Sequence, residues 1–379
     1  MANQDHSHED PKSFTTRTAI ANEGAKEKKP SGLKSKLIQV APVALTVLAT
    51  ALAGMSSGEM TQSMYYRSLA SQHQSKAGDQ WSFFQAKRIR GTSLEGNVQL
   101  LRNLAHIDRL DVSRLKNSFV AICKRLEPLS ADSVETGRSV QTKLERWIAD
   151  AQTNGSLKFL IGPDLPKVED KLLPNNDENK QVWSAIQAMS RRHSEAELAG
   201  LVTGVPMEKI EEAAGLAELN AEGFDKACET PASALKQLRS IAAEITQSVQ
   251  RFPRPSASDA TDNERVKLLG QLHSEADEIN STIETTANDF DARRYRQESV
   301  YNRKAAELYE LRVARSGVQS DTHRDRSKKF FFAMLMAQAG VTVASLALAR
   351  QNHSMFWVVA AVAGCGALGL SGITYFSLV

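Results

Sequence analysis

This chain is short of the signatures that announce chemistry. It has no G-x-x-x-x-G-K-[ST] phosphate loop, no H-E-x-x-H metal helix and no C-x-x-C pair. No catalytic residue, cofactor site or metal site can therefore be named, and the expectation is a protein that is not an enzyme. Cysteine is scarce, with three residues in 379, which rules out a disulfide framework. Cys365 lies in an apolar run, and Cys123 and Cys228 fall on expected helices, where all three read as packing residues. Net charge is also small, +3, which supplies no strong attraction to nucleic acid or to an acidic substrate. His6 and His8, in DHSHED, read as part of a solvated tail. His73 and His106 read as packed or solvated rather than catalytic.

What is present is apolar sequence gathered in three blocks. Leu37–Met55, Phe330–Ala349 and Phe356–Val379 contain no charged residue. Each is about the 20 residues that a membrane-spanning helix needs, so a lipid bilayer is the first expected partner. The 1–36 segment ahead of them is basic and lacks apolar periodicity, as a disordered tail does. Lys26, Lys28, Lys29, Lys34 and Lys36 precede the first block, and Ala51-Leu52-Ala53 resembles a signal-peptidase site. The length of the preceding segment favours an uncleaved anchor. The spans hold only Gln39, Gln338 and hydroxyl residues among polar side chains. That argues against ion-coupled transport, which needs ionisable groups in the membrane. Small residues instead (Ala337, Gly340, Ala344, Ala347; Ala361, Cys365, Gly369) suit close helix packing. The last two spans should form a hairpin.

Between the spans, residues 56–329 read as an all-α, long-helix, coiled-coil-like soluble bundle, with 128–262 as an insertion. Tyr66, Ala70, His73, Ala77, Trp81 and Phe84 share one helical face, which Gly91-Thr92 should end. Val98, Leu101, Ala105, Asp108, Val112, Leu115, Phe119, Ile122 and Leu126 make a four-heptad stripe that Pro128 stops. A further helix with Val134, Gln141, Leu144, Ile148 and Ala151 inward should end at Asn154-Gly155, before a surface connection over 156–176. Thr230 and Pro231 look like the cap and first residue of a helix carrying Leu235, Leu238, Ala242, Ile245, Val249 and Phe252. PRPSASDATD is a linker. The last soluble helix starts near Asp262 and runs through Leu269, Leu272, Ala276, Ile279, Ile283, Ala287 and Phe290, then Tyr301, Ala305 and Leu308, to Gly317. No segment reads as a strand beyond a few apolar residues at Leu157–Ile161.

Ser194–Leu219 has the outline of a helix-turn-helix. Its second helix offers Glu208, Glu211, Glu212 and Glu218 against Lys209, the wrong sign for phosphates. A plain helical hairpin is expected, with no nucleic acid bound.

The densest motif is SKAGDQWSFFQAKRIR. Its aromatics continue the apolar stripe, and Trp81 lies about 25 helical residues beyond the span, too far for an interfacial aromatic belt. Both ends of the soluble region return to one membrane face. The 60–87 and 264–316 helices should therefore run antiparallel, with Trp81 and Phe84 against the second. Asp79, Gln80, Trp81, Phe83, Phe84, Gln85, Ala86 and Lys87 resemble the motif of an uncharacterised bacterial membrane-protein family, a domain of unknown function. That resemblance covers the motif and the C-terminal pair of spans. It implies membrane location and supplies no activity.

The expected function is a membrane-anchored interaction or structural protein of the cell (inner) membrane. It would form a homo-oligomer or dock a protein partner through its heptad faces, and no small-molecule substrate is identified. The alternative is a pore or transporter component made by oligomerised spans. The lysines before the first span place the N-terminus inside, whereas Arg324, Arg326, Lys328 and Lys329 before the second would keep the soluble part inside too. With the first span deciding, 56–329 is periplasmic.

Overall fold

In a computed structural model the described residues are 33–104, 109–129, 131–168, 180–191, 195–254, 264–350 and 354–376. The tail with His6 and His8, Ala105 and Asp108 of the expected stripe, His106, and most of the 253–262 linker lie outside them. Every regular element among the described residues is an α-helix. They are α1 (Leu33–Leu104), α2 (Val112–Leu126), α3 (Ala131–Thr153), α4 (Ser156–Ile161), α5 (Lys180–Ser190), α6 (Glu195–Thr203), α7 (Met207–Gln250), α8 (Glu264–Ala349) and α9 (Ser354–Phe376). The chain divides into two units, one of residues 1–56 with 329–379, the other of 57–328. Three helices, α1, α8 and α9, are long and apolar enough to cross a membrane.

In the first unit these three helices meet through small side chains. Ala49, Leu52, Phe330, Ala333, Ala337 and Ala367 form the buried cluster. Gly340 lets the backbones close in, because a Cβ there would lie 3.3 Å from Leu45, 3.4 Å from the Ala360 carbonyl and 3.4 Å from the Ala363 Cβ. Outward, Val40, Val43, Val358 and Val362 are exposed, as lipid-facing positions should be. Pro42 sits within α1 without ending it.

The second unit is organised around α8. Between residues 281 and 320 only Glu284, Arg296, Val300 and Arg303 of that helix are exposed, so neighbours surround it. One core joins Phe119 and Ile122 of α2, Leu144 and Trp147 of α3, Phe224 and Leu238 of α7, and Ile283 and Phe290 of α8. Another gathers Val182 of α5, Val202 of α6 and Ile210 of α7 on Leu308 and Leu311 of α8. The expected stripe of α8 from Leu269 to Leu308 is buried throughout.

Three boundaries differ from the sequence reading. Gly91 does not end α1. It is buried at a close approach, where a Cβ would lie 3.3 Å from the Ala292 carbonyl of α8. A mid-helix glycine costs only about 1 kcal/mol, less than the packing it permits. The four-heptad stripe is instead cut between α1 and α2. Asp111 caps α2, accepting the Ser113 and Arg114 amides at 2.8 and 3.4 Å, an aspartate signal that the apolar spacing obscured. Pro231 opens no helix, because α7 runs through it from Met207 to Gln250. Apolar faces on both sides of Pro231 are buried, and together they offset the roughly 3 kcal/mol that an internal proline costs.

Smaller differences follow the same logic. Leu157–Ile161 is the helix α4, entered through Gly155 in the left-handed region at φ 72°. The inward face of α3 lies one residue from the expected one, with Val140, Leu144, Trp147 and Ala151 buried and Val134, Gln141 and Ile148 half-buried. Trp147 turns that face because its indole donates to the Ala234 carbonyl at 2.7 Å. Gly317 lies inside α8 and does not interrupt it.

Phe290 is fully buried whereas Phe83 is 54% exposed. Phe290→Ala should therefore cost the soluble unit about 3–5 kcal/mol. Phe83→Ala should cost well under 1 kcal/mol. Urea unfolding of the two variants, followed by circular dichroism, measures the difference.

Candidate functional site

The motif residues lie on α1 where it runs antiparallel to α8. Partners on α8 retreat as α1 advances: Glu59 meets His323, Ser63 meets Ser320, Trp81 meets Glu310, Lys87 meets Glu298, and Arg102 meets Asp289. One seam of α1 in this unit is Glu59, Ser63, Tyr66, Ala70, His73, Ala77, Gln80, Phe84, Lys87, Gly91, Leu94, Val98 and Leu101, all buried or half-buried, with Leu69, Trp81, Glu95, Gly96 and Arg102 half-buried outside it. The seam alternates steps of three and four without a miss, the heptad spacing of a helix that keeps one face on a partner.

The motif is thereby split. Trp81 and Phe84 stand edge to face, ring centroids 5.4 Å apart, and the Trp81 indole donates to Glu310 at 2.8 Å. Lys87 forms an ion pair with Glu298 and sits 5.0 Å above the Tyr295 ring. Gln80 is half-buried. Asp79, Phe83, Gln85 and Ala86 point to solvent.

Lys87 leads to a charged network that the sequence reading missed. Glu298, its side chain 6% exposed, takes Lys87 from α1 and Arg294 one turn back on α8 at 2.5 Å. Arg294 also reaches Asp225 of α7 at 3.7 Å. Two carboxylates and two cations thus tie three helices. Burial pushes the Asp225 carboxyl above its ordinary value, and the neighbouring Glu298, which shares a hydrogen bond with it, pushes the same way. Asp291 is raised too, chiefly by burial, with Arg239 and Arg294 opposing. Cys228 beside the network and Cys123 in the core are both pushed up to about 11 by burial, which keeps them protonated and poor nucleophiles. Cys123 also touches Gly137, where a Cβ would lie 3.2 Å away.

Toward the start of the soluble unit, His73 is buried beside Tyr309, ring centroids 6.2 Å apart. Burial, then Arg312 and Lys76, lowers its pKa, so the imidazole is neutral. Tyr309 is pushed up to about 12 by burial and by its hydrogen bond to Glu218. These groups lie where α1 and α7 meet α8.

Two sequence motifs resolve here. The segment read as a hairpin is α6, a Gly204-Val205-Pro206 turn and the start of α7. There Glu208, Glu211, Glu212, Glu218, Glu222 and Glu229 are all exposed. The sequence reading counts G-x-S-x-G as absent, but the spacing does occur, at Gly54–Gly58. It falls inside the continuous helix α1, whereas a nucleophile elbow needs a sharp strand-to-helix turn. Among the described residues no group of three or more His, Cys, Asp or Glu side chains is placed to hold a metal ion.

The raised carboxyls set a sign for pH dependence. Asp291 holds its proton more tightly folded than unfolded. Its contribution is therefore full below the ordinary 3.8 and is lost as pH rises through its higher folded value. Asp291→Asn should remove that part of the pH dependence, leaving a flatter stability curve on the acid side. Urea midpoints measured across that range for both proteins would show it, and an unchanged slope would contradict it.

Neither the curated proteins nor the solved structures return a match to this chain. The family comparison does. The matched region takes in the first span, the motif, α2 and part of α3, and it stops short of the C-terminal pair of spans. Over residues 37–146 this chain matches the model of the family described as a domain of unknown function (DUF4337).

Proposed function

We propose that this chain is a membrane-anchored helical interaction protein that self-associates through the outer face of α1, as a heptad coiled coil. The observation that carries the reading is the composition of that face. With the inward residues fixed, the positions turned away from α8 run from Met64 and Tyr65 through Ser68, Ser71, Gln72, Ser75, Gly78, Ser82, Gln85, Ala86, Ile89, Thr92 and Ser93 to Gln99, Leu100 and Asn103. Asp79 alone among them is charged. Flanking positions carry the charge instead: Arg67, Lys76, Arg88, Arg90, Glu95 and Arg102.

A helix face meant for water normally carries charge, and 24% of this chain is charged. Two copies anchored in one membrane present α1 in parallel. About a two-fold axis each residue then meets its own counterpart, so any charge would face a like charge. Small uncharged side chains remove that repulsion and permit close approach. Met64, Tyr65, Ile89 and Leu100, all more than half exposed in the single chain, would supply the buried apolar area.

Ile89 is 69% exposed, so Ile89→Glu leaves the fold of one chain intact. In detergent the parent protein should run as a dimer or larger by light scattering, and Ile89→Glu as a monomer. Equal masses for the two would sink the reading.

We also propose that the protein sits in the cell membrane with residues 57–328 outside the cytoplasm. The lysines ahead of the first span support this orientation, since long loops translocate largely regardless of charge. A reporter active only outside the cytoplasm, fused in the α3–α4 turn at Gly155, should be active. If a cytoplasmic reporter is active there instead, the orientation is reversed.

A further inference from the structure

A groove of about 390 Å³ opens between α1 and α8 beside the Trp81–Phe84 pair. Phe84 and Val300 are its apolar walls, Gly91 lies at its base, and Arg88, Arg296 and Arg303 are its cations. Its volume falls in the range of small-molecule sites, roughly 300–1,000 Å³.

The charge balance there is unequal. Arg296 is paired with Glu95, and Arg303 with Glu307 at 2.8 Å. Arg88 has no carboxylate within ion-pair distance among the described residues, and its guanidinium lies 5.9 Å from the centre of the Phe84 ring. No acidic side chain lines the groove. Three guanidiniums against two carboxylate partners leave a net positive site, and guanidinium forks match phosphate oxygens. Phe84 is held edge-on by Trp81, which leaves its ring fixed in one wall. Val300, 41% exposed, gives the groove a second apolar contact that water does not favour. Gly91 seats α1 closely on α8 beside the groove: a Cβ there would lie 3.3 and 3.5 Å from the Ala292 carbonyl and the Arg296 amide.

We infer that this groove binds a small organic phosphate carrying a planar ring, the class of nucleoside monophosphates, with the ring on Phe84 and the phosphate on Arg88, Arg296 and Arg303. Neither half of such a ligand suffices alone. The apolar walls have no purchase on inorganic phosphate, and the arginines none on a neutral nucleoside.

The test is calorimetric titration of the full chain in detergent with adenosine monophosphate, adenosine and inorganic phosphate. Adenosine monophosphate should bind at least about tenfold more tightly than either part. Arg88→Ala should weaken it by about tenfold or more, the usual loss for one charge-assisted hydrogen bond. Because Arg88 makes no ion pair, that variant should keep the parent melting temperature. Phe84→Leu, which keeps an apolar side chain at the α1–α8 contact, should weaken adenosine monophosphate and leave inorganic phosphate unchanged. Ile89→Glu should leave binding unaltered, which separates this site from self-association. Absence of binding at millimolar adenosine monophosphate overturns the proposal. So does an Arg88→Ala protein that binds it as well as the parent, or inorganic phosphate binding as tightly as the nucleotide.

Discussion

Glu298 has to be paired. A carboxylate buried to this degree and left alone would cost several kcal/mol, and Lys87 and Arg294 are the cations that relieve it. Only one register of α1 against α8 brings Lys87 to that point. Sliding the helices by one heptad would keep an apolar seam but take Lys87 away from Glu298, leaving that carboxylate with Arg294 of its own helix. A buried ion pair is a poor source of net stability and a good source of specificity. Here it selects the alignment in which Trp81 reaches Glu310, Gly91 meets the Ala292 backbone and Arg102 reaches Asp289. Asp225 extends the constraint to α7, so one charge cluster fixes the relative positions of three helices.

The inner seam of α1 and α8 changes character along its length, and the change is physically informative. Past Ala77 it is mainly apolar, and α8 supplies Phe290, Ala305 and Leu308 to the neighbouring cores. Before Ala77 it is polar: Ser63 hydrogen-bonds Ser320 at 3.1 Å, and His323 meets Glu59 at 2.7 Å with its ring stacked on Tyr66. Serine pairs bury little area, so this stretch contributes less than the apolar stretch to stability. It contributes direction, because hydroxyls and an imidazole need particular partners while leucines accept any. The polar stretch therefore adds to the register that Lys87 and Glu298 set, while the apolar stretch contributes more of the stability.

Much of this was legible from apolar periodicity. The stripe Leu269–Leu308, the antiparallel placement of Trp81 and Phe84 against α8, and the three charge-free spans all follow from spacing and length. Periodicity failed where a local residue was read without its surroundings. Gly91 looks like a stop and Pro231 like a start, yet each lies inside a helix whose packing outweighs a cost of about 1–3 kcal/mol. Asp111 looks like a polar neighbour of a seam, yet its carboxylate caps the start of α2. The charged network was invisible for a different reason. Lys87, Asp225 and Glu298 are far apart in sequence and each is an ordinary surface residue by type. Only the fold brings them together, and no spacing rule within one helix can report that.

α1 shows how one helix can serve three neighbours at once. Its inner face is committed to α8 by the heptad spacing. Its flanks hold most of the charges: Glu95 and Arg102 are matched to residues of α8, whereas Arg88 has no carboxylate partner among the described residues. Its outer face has Asp79 as its single charge and no neighbour among the described residues. A sequence constrained only to cover α8 would be free to place lysine and glutamate outward, as α7 places Glu208, Glu211 and Glu222. α1 forgoes that solubility over nearly eleven turns of its soluble length, and does so inside the region that matches DUF4337. The fold of the single chain does not require such a face. The proposed parallel copy of the same helix would cover it with no further residue changed.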